Sequence, residues 1–405
     1  MKKILVNAYA VSPEMGSEPG MGWNWCVHMA ADHELFILTE GEFRDRIEAA
    51  LPALPQGKNM HFHYLPVSDR IRKMCWNQGD WRFYWHYRKW QKRALALARE
   101  LCARERIDVI HQLNMVGFRE PGFLWKIPGI RYIWGPVGGM SQVPMAFFRD
   151  APCGVRLKMR LKNAINGIQM NASHRVRKAA ARADAVICAT ADERRRFGKW
   201  FDKPFPVIPE TGLEQEEVLP RLPARDDRFH IVWAGRFVAR KQLGLALRIL
   251  ARLEPEDIVL DVLGSGSPEE EARYRALAEK LGVTDRVVWH GAVPHAEVLE
   301  RMRSSQLFLF TSVHEVTSTV IMEAISAGLP IVCFDVCGFG PVVDESVGRK
   351  VPCIGPEQAV RDFTAAILRL YHPEEREAMA TGARERLKLF TWTCKMQQLN
   401  QLYGE

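Results

Sequence analysis

No apolar stretch in this 405-residue sequence approaches the roughly 18 residues that a membrane-spanning helix needs, so no segment reads as transmembrane. There is no C-x-x-C pair, and the nine cysteines are odd in number and lack close histidine partners. That disfavours a disulfide framework or a zinc site and leads us to expect reduced, mostly buried thiols in a cytosolic chain. The opening "MKKILVNAYAVSPEMG" is basic, but its apolar run is short and ends in Pro and Gly, so a secretory signal is not expected. Short internal repeats and low-complexity tracts are also missing. Acidic residues are scarce in two places. Residues 69–93 carry eight Lys/Arg against two Asp, and residues 155–182 carry eight Lys/Arg and no acid. The formal net charge of +8 therefore belongs to parts of the first half, which suggests an anionic neighbour there.

What is present is the composition of an ordinary globular protein, 47% hydrophobic and 26% charged, long enough for two or three domains. Short β-branched runs alternate with longer helical ones. "KKILVNAYA", "ELFILTE", "MHFHYLPV", "IDVIHQLN", "IRYIWGPV" and "ADAVICAT" read as strands in the first half. "FHIVWAGR", "DIVLDVLGSG", "RVVWHG", "QLFLFTS" and "PIVCFDV" follow in the second. Helices are expected between them, over 81–104, 173–182, 242–253, 268–281, 294–303 and 317–327. Near-continuous apolar strands separated by helices predict parallel sheets covered on both faces. The reading is α/β, with two Rossmann-like domains over 1–212 and 213–389 and the polar stretch 213–228 as linker. Ligands of such sheets bind beyond the carboxyl ends of the strands, and two domains whose strand ends face each other make a cleft.

The segment "HEVTSTVIME" puts Glu315 just past a strand and Glu323 one to two turns into the next helix. Thr317, Ser318 and Thr319 supply N-cap chemistry for that helix, and its exposed amides suit a phosphate. The plain reading is that Glu315 partners the helix dipole and Glu323 is solvated. A second stretch, "WAGRFVARKQLGLALRIL", weighs against that. Its strand ends at Gly235, and Arg236 and Lys241 follow, where a guanidinium and an ammonium neutralise a diphosphate.

Gly235-Arg236 and Lys241, followed by Glu315 and Glu323 in an E-x7-E spacing, resemble family 4 retaining glycosyltransferases of GT-B fold. The resemblance extends to "NAYAVSPEMGSEPGMGWNW", similar to the N-terminal glycine loop, to "IDVIHQLN" and to "IWGPVGG". It implies that Arg236 and Lys241 bind the donor diphosphate and that Glu315 contacts the donor sugar. It assigns Glu323 to the ribose hydroxyls and the amides of Val316 to Thr319 to the distal phosphate. His111 would face the reacting sugar, Gly20 or Gly22 would let backbone approach the diphosphate, and Pro294 and its neighbours would lie near the base. It further implies transfer from a nucleotide-diphosphate sugar to a glycan or lipid-linked acceptor, in cell-surface polysaccharide synthesis. The first domain would hold the acceptor, with a C-terminal helix of about 390–405 returning to it. No cofactor and no metal are expected, because Arg and Lys supply the positive charge and no Asp-x-Asp pair occurs. Nucleic acid is not an expected partner. The sequence departs from the pattern where "EVTST" stands in place of Glu-Gly-Phe-Gly, and where "CGFGP" carries Gly338 and Gly340. An epimerase or phosphorylase of the same fold, or a degenerate binding protein, are the alternatives.

Other features carry less. Gly264 and Gly266 read as a turn before a helix, since a third fingerprint glycine is missing. A dinucleotide reading built on Gly20, Gly22 and Glu40 fails on spacing, because Trp25 stands where the third glycine belongs. His290 and His295 read as surface or base-edge residues, with Pro294 between them breaking the helix that a metal pair needs. His61 and His63 share one strand face without a carboxylate partner in view. The aromatic and basic run 76–93 admits two readings: a membrane-interface surface in weak contact with anionic lipid, or a buried helix whose basic residues snorkel.

Overall fold

The computed structural model describes residues 1–77, 80–149, 151–316 and 318–404. Its strands, in chain order, are β1 (Lys3–Ala8), β2 (Glu34–Thr39), β3 (Met60–Tyr64), β4 (Val109–Asn114), β5 (Arg131–Val137) and β6 (Ala185–Cys188). They continue with β7 (Phe229–Ala234), β8 (Ile258–Leu263), β9 (Val287–Gly291), β10 (Leu307–Phe310), β11 (Ile331–Phe334) and β12 (Gly348–Val351). Two six-stranded sheets result, in the orders β3-β2-β1-β4-β5-β6 and β12-β11-β10-β7-β8-β9. The pairings β1–β4 and β7–β10 are parallel, as are those outward to β3, β6, β9 and β12. Both faces of such a sheet are covered, which is why β4 and β7 are buried at every position.

Only β12 lacks an apolar run in the sequence. Its Gly-Arg-Lys-Val alternates buried ends with a partly exposed middle. Arg349 and Lys350 sit on the sheet's edge, where charge blunts further strand pairing. On the edge strand β3 of the first sheet, His61 reaches Glu34 on the neighbouring strand, Nε2 to Oε1 3.1 Å. His61 thus has the carboxylate partner that sequence distance concealed.

The chain forms two compact units. The first comprises Met1–Met140, Ile168–Glu210 and the chain from Met396 on, and the second Ser141–Gly167 with Thr211–Lys395. The break between Glu210 and Thr211 lies two residues from the expected one, but 141–167, expected in the first domain, packs with the second unit. Val143, Phe147 and Phe148 enter its core, Phe147 lies edge-on to Phe334 at 5.2 Å, and Gln242 Nε2 donates to the Phe147 carbonyl at 2.9 Å. The polar stretch 213–228 also belongs there. Arg221 donates to the carbonyls of Met302 and Ser305 at the end of helix His295–Ser304, and Arg225 clamps Asp261 at 2.6 and 3.1 Å. Buried Asp261 also receives His230 and His290, each at 2.7 Å. These donors hold its carboxyl well below the usual range against the desolvation that opposes them. The helix Trp392–Tyr403 begins in the second unit, and its residues from Met396 on lie in the first.

The run 76–93 splits by face. In helix Arg82–Glu105, Phe83, Tyr87, Trp90, Ala94, Ala98 and Leu101 recur at helical spacing and are buried. Trp81, Tyr84 and Trp85 face outward.

Candidate active site

The second unit gathers most of the expected residues around one cavity of about 410 Å³ at the carboxyl ends of β7, β8 and β10. Two glycines build it. Gly235, after β7, has φ +153°, and Gly264, after β8, has φ +145°. A Cβ on Gly264 would lie 1.9 Å from the Gly235 carbonyl oxygen, so the two strand ends pass each other only without side chains. Arg236 follows Gly235 into the cavity, exposed and with no ion pair among the described residues. Lys241 ends the short turn Ala239–Lys241; its stem packs against Gly235, and its ammonium lies 4.9 Å from the centre of the Phe310 ring.

Glu315 is the hub. Its Oε1 lies 2.5 Å from Lys241 Nζ and 2.6 Å from an Arg240 Nη1, and Ser312 Oγ donates to it at 2.7 Å. Burial pulls the Lys241 ammonium below the usual lysine range, while Glu315 pulls the other way. A carboxylate held by two cations leaves this corner of the cavity net positive, and an incoming phosphate competes with Glu315 for Lys241.

The far wall is helix Thr319–Ser326, with Ser318 as N-cap residue and no side chain capping it. Its first amides are therefore open to an anion. Ser318, Thr319 and Glu323 line the cavity, and Glu323 Oε1 accepts from His295 Nε2 at 3.0 Å. Thr317 lies outside the described residues. The Val316 carbonyl accepts from the Gly338 amide at 2.9 Å, which ties Val316 to the "CGFGP" segment. Pro294 is the N-cap residue of helix His295–Ser304, and its neighbours Val293 and His295 line the cavity while Pro294 does not.

His111 is not part of this site. It lies inside β4 in the first unit, fully enclosed, with Nε2 donating to the Gly135 carbonyl at 2.7 Å and Nδ1 accepting from Tyr403 Oη at 2.5 Å. Neither ring nitrogen is left for a sugar, and burial pulls its pKa down to about 4. The neutral ring is favoured in the fold, so its contribution is complete above the unfolded value near 6.5 and is lost as pH falls toward 4. That amounts to about 3 kcal/mol. Glu18, in the same unit, is pushed by burial up to about 7, and its effect runs the other way, weakening the fold as pH rises from about 4.5 to 7. We expect wild type and His111→Gln to converge in urea stability as pH is lowered from 7 to 4. A gap that stays constant would show that protonation of His111 is not resisted.

Gly20 and Gly22 also have another role. Both lie inside helix Ser17–Met29, where a Cβ would meet the Met15 carbonyl oxygen at 2.1 Å or the Ala10 carbonyl oxygen at 2.5 Å. They let the helix press against its own preceding loop. Glu40 accepts from Arg72 at 2.9 Å and from the Val67 amide at 3.0 Å, which closes the dinucleotide reading. Among the described residues no group of three or more His, Cys, Asp or Glu is placed to hold a metal ion.

Sequence reading missed Arg240, Ser312 and His314. Arg240 was visible only as half of an "RK" pair, which usually marks a solvated loop. His314 Nε2 lies 3.2 Å from Ser141 Oγ, a pairing across 173 positions that no local pattern signals.

Residues 214–386 match the model of the family described as Glycosyl transferases group 1. The matched stretch lies wholly within the second unit. This stretch of the chain is similar to the group 1 glycosyl transferases. The chain is similar to the D-inositol 3-phosphate glycosyltransferase of Xylanimonas cellulosilytica, 28% identical over 243 residues, which are 56% of this chain and 58% of that protein. It is also similar to the lipopolysaccharide glucosyltransferase WaaG of Escherichia coli, 32% identical over 126 residues, 30% of this chain and 32% of that one. The chain thus spans at most 58% of the length of these two curated relatives. Among solved structures, a sucrose-phosphate synthase from Thermosynechococcus elongatus aligns with 100% of this chain and 98% of its own at TM-score 0.64 and 19% identity. The lipopolysaccharide outer core galactosyltransferase WaaB aligns at TM-score 0.66 and 14% identity, over 99% of this chain and 98% of its own. At such identities the likeness establishes the fold, which is that of GT-B glycosyltransferases: two parallel six-stranded sheets, each wrapped in helices.

Proposed function

We propose that the protein is a retaining glycosyltransferase of family 4 type. It moves a sugar from a nucleotide-diphosphate sugar to a glycan or lipid-linked acceptor, in cell-surface polysaccharide synthesis at the inner face of a membrane. The observation that carries this reading is the convergence of Arg236, Lys241, Glu315 and Glu323 with an uncapped helix start on one cavity.

The chemistry follows from charge. Breaking a sugar–diphosphate bond puts negative charge on the departing phosphate and oxocarbenium character on the sugar. Arg236, free of an internal partner among the described residues, and Lys241 bind and stabilise that phosphate, and the amides at Ser318 and Thr319 hold its distal end. Glu315, released in part from Lys241 by the phosphate, turns its oxygens to donor-sugar hydroxyls. Glu323 accepts from the ribose hydroxyls, with His295 fixing its carboxylate. The acceptor hydroxyl then attacks on the face the phosphate leaves from: its oxygen bonds to the anomeric carbon as the bond to the phosphate oxygen breaks, and the departing phosphate takes its proton, which gives retention.

The test is donor binding and turnover. A matching nucleoside diphosphate at a hundredfold excess over its Kd should stabilise the protein by about 2.7 kcal/mol, read as a thermal shift. Glu323→Ala should raise the donor KM by roughly 10–100-fold with little change in kcat, as expected for loss of a hydrogen bond to a charged acceptor made equally in ground and transition states. If no nucleoside diphosphate shifts the melting temperature, and Glu323→Ala leaves KM unaltered, the reading fails.

A further inference from the structure

The first unit has a cavity of its own, of about 260 Å³, that shares no lining residue with the one in the second unit. It lies at the carboxyl ends of β1, β2 and β4, with Tyr9 and Ala10 following β1, Glu40 and Glu42 following β2, and Met115 following β4. In this sheet β2 lies on one side of β1 and β4 on the other, and ligands of open α/β sheets bind at such a reversal.

The lining is aromatic and acidic. The rings of Tyr9, Phe43, Trp76, Phe83 and Tyr84 wall it, and they meet edge to face, Tyr9 to Phe83 at 71° and Phe43 to Trp76 at 83°. Glu18, Glu40, Glu42 and Asp80 join them, and no Lys, Arg or His does among the described residues. Two of these carboxylates are answered: Arg72 pairs with Glu40 at 2.9 Å and Arg82 with Asp80 at 2.7 Å. Glu18 accepts from the Val116 amide and exposed Glu42 from Trp76 Nε1, but neither has an ion pair among the described residues. Other cations nearby are engaged elsewhere. Arg46 rests over the Phe43 ring and pairs with Glu14 at 3.0 Å, and Arg119 donates to Gln169. Burial raises the Glu18 carboxyl, and no cation pulls it back.

Tyr9 supplies a second sign. It is 4% exposed, its hydroxyl is within electrostatic reach of Glu40, Glu42 and Cys75 of the lining, and that hydroxyl makes no hydrogen bond among the described residues. A buried hydroxyl without a partner costs free energy that phenylalanine would avoid. Ring faces attract a cation, while carboxylates and a hydroxyl oxygen accept from its N–H groups. A metal ion suits the site poorly, because no three His, Cys, Asp or Glu among the described residues are placed to hold one.

We propose that this cavity binds a compact organic ammonium group, such as the protonated amine of an amino sugar. Glu18, Glu42 and the Tyr9 hydroxyl accept from the ammonium, and the rings cover the carbon skeleton. Where the transferase reading holds, the acceptor is then a glycan that carries a free amine; the binding itself does not depend on that reading.

The experiment is calorimetric titration of the full chain with glucosamine, glucose and glucose 6-phosphate near neutral pH. Glucosamine should bind at least about tenfold more tightly than glucose, and the phosphate ester more weakly than either. Glu18→Gln and Tyr9→Phe should each weaken glucosamine binding by about tenfold or more and shrink its preference over glucose. Melting curves separate this from damage to the fold: Glu18→Gln keeps an oxygen for the Val116 amide, and Tyr9→Phe removes a hydroxyl with no internal partner, so neither should melt earlier. Nucleoside diphosphate binding should be unchanged in both, since neither residue lines the second unit's cavity. Donor binding is read separately, so failure of the ammonium site and failure of the transferase reading are distinguishable. Glucosamine that binds no better than glucose, or a preference that both variants retain, overturns the proposal. So does tighter binding of glucose 6-phosphate, because the occupant would then be an anion at the start of helix Ser17–Met29.

Discussion

Replacing Lys241 with alanine is expected to lower kcat for sugar transfer by roughly 10²–10³, the usual loss when one donor to a developing oxyanion is removed. Lys241 is the better target because its removal leaves Glu315 still paired with Arg240 and Ser312. The fold should therefore be little affected, and the measured loss belongs to the phosphate. Glu315→Ala should be as damaging to transfer but harder to interpret. It strands the Arg240 and Lys241 cations beside each other in a half-buried corner, so the variant loses stability as well as activity. Glu315→Gln keeps the shape and the Ser312 hydrogen bond, and should still reduce transfer strongly. Product formation under saturating donor, alongside melting curves for all three, separates the effects. Full activity in both Lys241→Ala and Glu315→Gln would sink the assignment of the site.

The second large effect is on folding. Gly264→Ala should destabilise the second unit by more than about 3 kcal/mol, because a Cβ cannot sit 1.9 Å from the Gly235 carbonyl oxygen and φ +145° is hostile to any side chain. The strand ends must part to accommodate the methyl group. Arg236 and Lys241 then move, and donor affinity falls even in the protein that remains folded. Gly282 provides the comparison. It also has positive φ, +69°, but nothing lies within 4 Å of its would-be Cβ, so Gly282→Ala should cost only the left-handed penalty of about 1–2 kcal/mol. Urea denaturation of the two variants checks this, and equal costs would mean that the crossing of β7 and β8 ends relaxes freely.

Eleven of the twelve strands announce themselves as apolar runs because parallel strands are buried on both faces, and burial selects Val, Ile, Leu and Phe regardless of neighbours. The cavity residues are equally local in origin: Gly235 and Arg236 follow β7, and Glu315 follows β10, so strand placement alone delivers them to the carboxyl edge. Order along a strand could not tell that His111 points into the core, because a buried histidine and a ligand-facing one share the same sequence context. That was decided by Tyr403, 292 positions away, whose hydroxyl takes Nδ1. Nor could composition place 141–167, since the aromatic residues there suit either unit and distant contacts such as those of Phe147 with Phe334 and Gln242 choose. The aromatic run 76–93 shows the division most plainly. Helical spacing in the sequence separates Phe83, Tyr87 and Trp90 from Trp81, Tyr84 and Trp85 as two faces, but which face meets the sheet depends on what packs there. Patterns within a few residues are read from local burial and backbone preference; partners dozens or hundreds of positions apart exist only once the chain has closed on itself.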